Sequence, residues 1–276
     1  MMCRLLQVSK AGYYAWDKRS PSTRAQIDEK IIAFIRLIHA VSGQTYGSPR
    51  IHAQLKRDGI HVSRKRVVRL MKQIGMEIKT RRRFKATTNS KHKLPIAPNI
   101  LDRRFAVEDI GAVDSVWASD ITYIDTCEGW LYLAVILDLR SRRVVGWSMS
   151  QSMEKTLVLD ALRMALLRRK PGGGVLHHSD RGSQYASEAF RDLLKENGML
   201  CSMSRKANCW DNAVIESFNG TIKTELIHRT RWKTREEARA AVYKYIETWY
   251  NSRRLHSTLG YLTPIEFEER DIQRAA

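Results

Sequence analysis

Apolar residues recur every three to four positions in the first third of the chain. In the middle third, β-branched and aromatic residues gather into short runs, so a helical segment precedes a sheet-forming one. The spacing predicts a helix over Thr23–Ala40, with Ile27, Ile31, Phe34, Ile35 and Ile38 inward and Thr23 with Gln26 as a capping box. A second helix opens at Ser48 and Pro49, turns Ile51 and Leu55 inward and stops at Gly59. A third, capped by Ser63 and ended near Gly75, directs Val67, Val68 and Met71 inward. The short turn between the last two reads as helix-turn-helix. Ahead of them, residues 3–20 offer one short helix capped by Ser9, which cannot bury its apolar side alone.

From about residue 114 the period becomes strand-like. Val116–Thr126, Trp130–Leu139 and Arg142–Ser150 are rich in Val, Ile, Tyr and Trp and are separated by short turns, as in an antiparallel meander. A helix over Glu154–Lys170 is stopped by Pro171 and three glycines. Val175–Ser179 is a fourth strand, Ser187–Asn197 a helix, and Leu200–Met203 a fifth strand. The stretch Asp211–Leu226 is again helical, with Asp211 as N-cap and Val214, Ile215, Phe218, Ile222 and Leu226 on one stripe. The opposite face carries Glu216, Asn219 and Lys223. A last helix, Thr234–Tyr250, has a Thr234/Glu237 capping box and an inward stripe of Ala238, Val242, Tyr245, Ile246 and Trp249. The order βββαβαβα is that of a ribonuclease-H-like α/β fold with a mixed sheet, preceded by an all-α region. In such a sheet the first and fourth strands are neighbours.

Charge sharpens this division. The 276 residues carry a net charge of +19, but residues 1–100 hold 22 Lys/Arg against 5 Asp/Glu and residues 101–276 hold 26 against 24. A polyanion-binding end is thus joined to a nearly neutral body, and nucleic acid is the expected polyanion. The third helix carries Arg64, Lys65, Arg66, Arg69 and Lys72, as a helix that reads a DNA groove would. Lys79–Pro98 loses periodicity and contains seven Lys/Arg, among them Arg81, Arg82 and Arg83. It reads as an extended basic linker lying along phosphates. No apolar run reaches transmembrane length, no basic amphipathic helix pairs with a broad apolar face, and no signal peptide opens the chain. Cys3, Cys127, Cys201 and Cys209 are scattered with no C-x-x-C pair, which fits reduced thiols and speaks against a disulfide framework and a Cys/His zinc site.

Three carboxylates stand out. Asp120 lies mid-strand, where it costs β-propensity and needs a partner if buried. Asp180 lies just past the fourth strand, and Glu216 is on the helix expected to cross that sheet edge. Acids converging from strand, strand end and helix suit hard divalent cations, two of which can clamp an in-line phosphoryl displacement. With 29 Asp and Glu in the chain, some such triple arises by chance, so spacing alone is weak evidence. Asp125 and Asp138 compete, each at a strand end, although turn or capping roles suit them better.

Asp120, Asp180 and Glu216, with thirty-five residues between the last two, match the D-D-35-E pattern of retroviral-integrase-like transposases. The phrases Trp117–Tyr123, His177–Tyr185, Ser202–Arg205, Asp211–Lys223 and Tyr250–Pro264 resemble the second-reading-frame (OrfB) transposase of the IS-three insertion-sequence family over nearly the whole chain. The resemblance implies two Mg²⁺ ions, replaceable by Mn²⁺, with Asp120 bridging both while Asp180 and Glu216 each complete one shell. It implies that water, and then a 3′-hydroxyl, attacks a phosphodiester with no covalent enzyme intermediate. Lys223 matches the family's basic position and would hold an end phosphate or adjacent base. Asn212, a turn before Glu216, would support the acids from behind. His177, His178, Asn251, Arg254 and His256 fall in the same phrases, the histidines being better suited to structural roles.

The family's fused product also brings an N-terminal helix-turn-helix and a coiled coil from its first frame (OrfA), neither of which is recognisable in this chain. The expected parts are a helical fragment (1–20), a helix-turn-helix region (21–78), a basic linker (79–113), a catalytic core (114–230) and a helical extension (231–276). The expected function is Mg²⁺-dependent cleavage and strand transfer at insertion-sequence ends, by a cytoplasmic, nucleoid-associated homo-oligomer on double-stranded DNA, fused or bound to the first-frame product. A DNA-binding regulator, or a nuclease without strand transfer, is the alternative.

Overall fold

The computed structural model describes residues 2–76, 94–205 and 208–275. The chain divides into two units, Met1–Ile78 and Lys79–Ala276. The first is all-helical: α1 (Met2–Leu5), α2 (Lys10–Asp17), α3 (Thr23–Val41), α4 (Ser48–Arg57) and α5 (Arg64–Gln73). Its core is the set Ile31, Ile35, Ile38, Tyr46, Ile51, Leu55, Val67, Leu70 and Met71. Ile27, Phe34 and Val68, expected inward, are exposed, and Leu70 is buried instead. Only the i, i+4, i+7 arc of α3 is covered by its two short neighbours, so the edges of the stripe stay wet. The α3 cap also falls one residue early: the Ser22 hydroxyl accepts from the Ala25 N–H, and the Gln26 amide donates to the Pro21 carbonyl. Gly47, not Ser48, occupies the cap position of α4. Ser9 and Ser63 cap α2 and α5 as expected. No residue of α2 is buried.

The second unit is built on one sheet, β1 (Val116–Thr126), β2 (Gly129–Asp138), β3 (Val144–Ser150), β4 (Leu176–Ser179) and β5 (Leu200–Met203). Its order is β3-β2-β1-β4-β5, antiparallel through β3, β2 and β1 and parallel from β1 across β4 to β5. This is the mixed sheet that the element order called for. Helices α6 (Lys155–Arg169) and α7 (Glu188–Glu196) cover one face, packing on Trp117, Ala134, Ile136 and Val145. On the other, α8 (Ala213–Glu225) and α9 (Arg235–Lys244) pack on Ile124, Leu131, Leu133 and Val135. Gly146 lets β3 approach α6: a Cβ there would collide with the Ala161 carbonyl and with Ala165. β4 ends at Ser179 opposite Ser119, so from Asp120 onward β1 has no β4 residue beside it.

Two readings of the C-terminal part need revision. The helix after Thr234 turns π-helical over Tyr245–Tyr250, which swings Tyr250 into the core and leaves Trp249 half-buried. A further helix, α10 (Pro264–Ala275), has too polar a sequence to announce itself. Ion pairs hold it: Arg140 is bidentate to Asp271 at 2.7 Å, and Arg169 reaches Glu268 at 3.0 Å. The linker assigned to 79–113 is also shorter than expected. Leu101 and Ile110 are buried, and the Ile100 N–H donates to the Ser202 hydroxyl at 2.9 Å, so this stretch belongs to the core.

Candidate active site

The length of β1 that runs on past β4 sets the site. Asp120 stands at its start, Asp180 one residue past the end of β4, and Glu216 in the first turn of α8. Burial is the largest influence on the Asp120 carboxyl and, with the neighbouring carboxylates of Asp180 and then Glu216, pushes its pKa up to about 8. The Ile121 N–H and the Asn219 amide pull the other way. Asn219 Nδ2 donates to Asp120 Oδ2 at 2.8 Å. Asp180 Oδ1 accepts the Gly182 N–H at 2.9 Å, and a Cβ on Gly182 would press to 3.0 Å of that oxygen. Lys223 lies over the Tyr123 ring, 4.7 Å from its centroid. Burial depresses its pKa, while Tyr123 and Asp120 act to raise it.

The sequence thus brings Asp120, Asp180, Glu216 and Lys223 into one electrostatic neighbourhood. Hard oxygen donors whose charges raise the pKa of the buried Asp120 among them are the donor set a divalent cation relieves. Among the described residues, no three His, Cys, Asp or Glu side chains gather closely enough to hold a metal ion as they stand. Asp120 and Asp180 both line a cavity of about 430 Å³, walled by Tyr123, Trp130, Tyr132 and Met153.

Asn219, which the sequence placed beside Glu216 without a role, makes the contact to Asp120. Asn212 does not: its Oδ1 is buried and finds no hydrogen bond. Asp211 is not a cap either. Its buried carboxylate takes Arg205 through Nε and Nη2, the Arg205 N–H, Arg103 Nε and Asn99 Nδ2, all at 2.8–3.0 Å. Arg205 foremost, with Arg103, holds its pKa well below the usual range. This cluster fastens the segment before α8 to residues 99–103.

The histidines are structural. His177 is buried, meets the Ser119 hydroxyl at 2.7 Å, and burial with His178 beside it lowers its pKa to about 3. His178 sits between the Ser202 hydroxyl and the Asp211 carbonyl, each at 2.9 Å. Asn251 pairs with both backbone groups of Val144, and Arg254 is bidentate to Glu225. Asp138 accepts from the Ser141 N–H and hydroxyl and from the Asp114 N–H, a turn-holding role.

In the helical unit, Arg64, Lys65 and Lys72 are exposed on α5. Arg66 and Arg69 instead clasp Asp28 of α3 at 2.7 and 2.6 Å, which ties two helices together. Arg81, Arg82 and Arg83 lie outside the described residues.

Comparison with known proteins gives the class, an integrase-type polynucleotidyl transferase with an appended helix-turn-helix. Family models agree: "Integrase core domain" matches residues 112–209 and, in a second model, 197–264, and "HTH-like domain" matches 26–84. Among curated relatives, the Insertion element IS600 uncharacterized 31 kDa protein of Shigella sonnei is 44% identical over all of both chains. The Transposase InsF for insertion sequence IS3A of Escherichia coli (strain K12) is 41% identical over 98% of this chain and 94% of its own. The chain therefore belongs to the transposase family of insertion sequence IS3. Of solved structures, a simian T-cell lymphotropic virus intasome aligns at TM-score 0.49 and 14% identity, over 85% of this chain and 74% of its own. Among the described residues, no helix is long and apolar enough to cross a membrane.

Proposed function

We propose that Asp120, Asp180 and Glu216 are the reacting centre with which this transposase cuts and joins DNA at the ends of its insertion sequence. The observation that carries this reading is the Asp120 carboxyl, raised to about 8 by burial and by two carboxylates arriving from other elements. Nothing in the packing of β1 requires an acid there; a charge-binding role does. Drawn closer together than they stand, the three acids would hold Mg²⁺, or Mn²⁺ in its place, which supplies Lewis acidity at the phosphate and a more acidic bound water.

The chain's own groups do the positioning. The Asn219 amide holds Asp120 Oδ2, and the Gly182 N–H orients Asp180. The Lys223 ammonium, on the same side as Asp120, would take a phosphate oxygen of the DNA end. Its partial burial makes that contact stronger than an exposed lysine would give. Arg64, Lys65 and Lys72 would bind phosphates from α5, and Arg81, Arg82 and Arg83 are assigned to the same task. α1, α2 and the turn between them expose Leu5, Leu6, Val8, Tyr14 and Trp16, the surface to which we assign association with the first-frame product. Two DNA ends must be paired for joining, so the working form is an oligomer.

The test uses purified protein, with and without its first-frame partner, on labelled end duplexes with Mg²⁺. Asp120→Asn, Asp180→Asn and Glu216→Gln should each abolish cleavage and strand transfer while DNA binding persists. Full activity in any one of them overturns the assignment. Hydrolysis without a joined product would reduce the reading to a nuclease.

A further inference from the structure

We propose that the cavity beside Asp120 and Asp180 is a base pocket, which receives one unstacked nucleobase next to the phosphodiester being cut. This rests on the reading above, that Asp120 and Asp180 mark the reacting phosphate.

The cavity's two halves have different chemistry. Asp120 and Asp180 form its acidic end, and Ile121, Tyr123, Trp130, Tyr132 and Met153 form an apolar and aromatic wall. Tyr123 and Tyr132 are directly opposed across β1 and β2, and Trp130 stands edge-on to Tyr123 with centroids 5.0 Å apart. Large apolar side chains are normally drawn under cover, yet Trp130 is 47% and Met153 43% exposed at the mouth of a site that must meet a polyanion. Phosphates and sugars give such a wall nothing to bind; the π-face of a base does, whatever its sequence. The Gln184 and Ser183 side chains add polar groups beside this wall, with the Gln184 amide held by the Met153 carbonyl at 2.9 Å. At about 430 Å³ the space is in the range of small-ligand pockets and admits a nucleoside rather than a duplex.

Position explains the purpose. The wall begins where β4 stops covering β1, within a few residues of Asp120, so a base held there places its own phosphate at the carboxylates. Lys223 lies over Tyr123, at the junction between wall and acids. Stacking in the pocket would offset the cost of unpairing the terminal base pair and draw the scissile bond away from the duplex.

The experiment compares fully paired insertion-sequence ends with ends carrying a mismatch at the base pair beside the cut, in Mg²⁺, using the full chain with its first-frame partner. Trp130→Ala should slow cleavage of paired ends by between about 5- and 150-fold, the range for losing one base–aromatic stack. On mismatched ends, where unpairing is already done, the loss should fall below about three-fold, and Trp130→Phe should restore most of the rate on both. Trp130→Leu keeps apolar bulk without a stacking face. It should behave like Trp130→Ala, and it replaces that variant if thermal melting shows it unfolded. An unchanged rate on paired ends, or equal losses on paired and mismatched ends, overturns the pocket. Asp180→Asn run alongside separates the two ideas: inactivity on both substrates with a normal Trp130→Ala sinks only the pocket, and activity in Asp180→Asn sinks the reacting centre itself.

Discussion

Asp120→Asn should make the resting protein more stable, and the gain should grow with pH. The Asp120 carboxyl titrates near 8 in the folded chain against 3.8 for an unperturbed side chain. Between those values the folded protein keeps a proton that the unfolded chain has released. The contribution is therefore complete below about 3.8 and drains away as pH rises toward 8. Integrating the two titrations between pH 5 and 7 gives a loss of about 2.6 kcal/mol from the wild type, which an uncharged amide does not suffer. Asp120 keeps some contact with solvent at the cavity rim, and screening trims this to about 1–2 kcal/mol. For a unit of this size that corresponds to roughly 2–8 °C in melting temperature. Asparagine is a fair probe because its Oδ1 can still accept from Asn219 Nδ2. The assay is thermal unfolding of both proteins in EDTA at pH 5 and 7, repeated with Mg²⁺. The melting-temperature difference should widen from pH 5 to 7 in EDTA and shrink when Mg²⁺ stabilises the wild type alone. A difference that is constant with pH, or a variant less stable throughout, would refute the claim that like charges crowd this carboxyl.

Gly146→Ala should cost about 1–3 kcal/mol, read as a lower urea midpoint, because its Cβ meets the α6 backbone rather than a yielding side chain. Arg254→Met should cost about 3–5 kcal/mol by stranding Glu225, and adding Glu225→Gln should recover most of it in a double-mutant cycle. Lys223→Gln should weaken binding to DNA ends at low salt and reduce the slope of log K against log salt by about 1. An unchanged slope would place Lys223 off the phosphate path.

Much of the core was legible because its signals are local. Turn residues, β-branched runs and caps such as Ser9, Ser63 and Thr234 act within a few positions, and they delivered the element order from which the neighbouring of β1 and β4 follows. The helix α10 was not legible, since its stability comes from Arg140 and Arg169, more than ninety residues away in sequence. The π-turn at Tyr245–Tyr250 escaped for a related reason: a 3.6-residue period assigns Trp249 inward, and the insertion rotates Tyr250 there instead.

The site divides along the same line. By themselves the residues supplied three acids, a lysine and an asparagine at intervals that share faces, because helical and strand periodicities are properties of the backbone. Which amide touches Asp120 is a matter of rotamers and crossing angle, so Asn219 rather than Asn212 was decided only when α8 packed on β1. The fates of Asp211, Arg66 and Arg69 were likewise tertiary. A carboxylate at a helix start looks like a cap, and a cation on a basic helix looks like a phosphate ligand, until folding brings each an opposite charge from elsewhere in the chain. The raised pKa of Asp120 belongs wholly to the fold, since burial and the approach of distant carboxylates have no expression in the order of the residues.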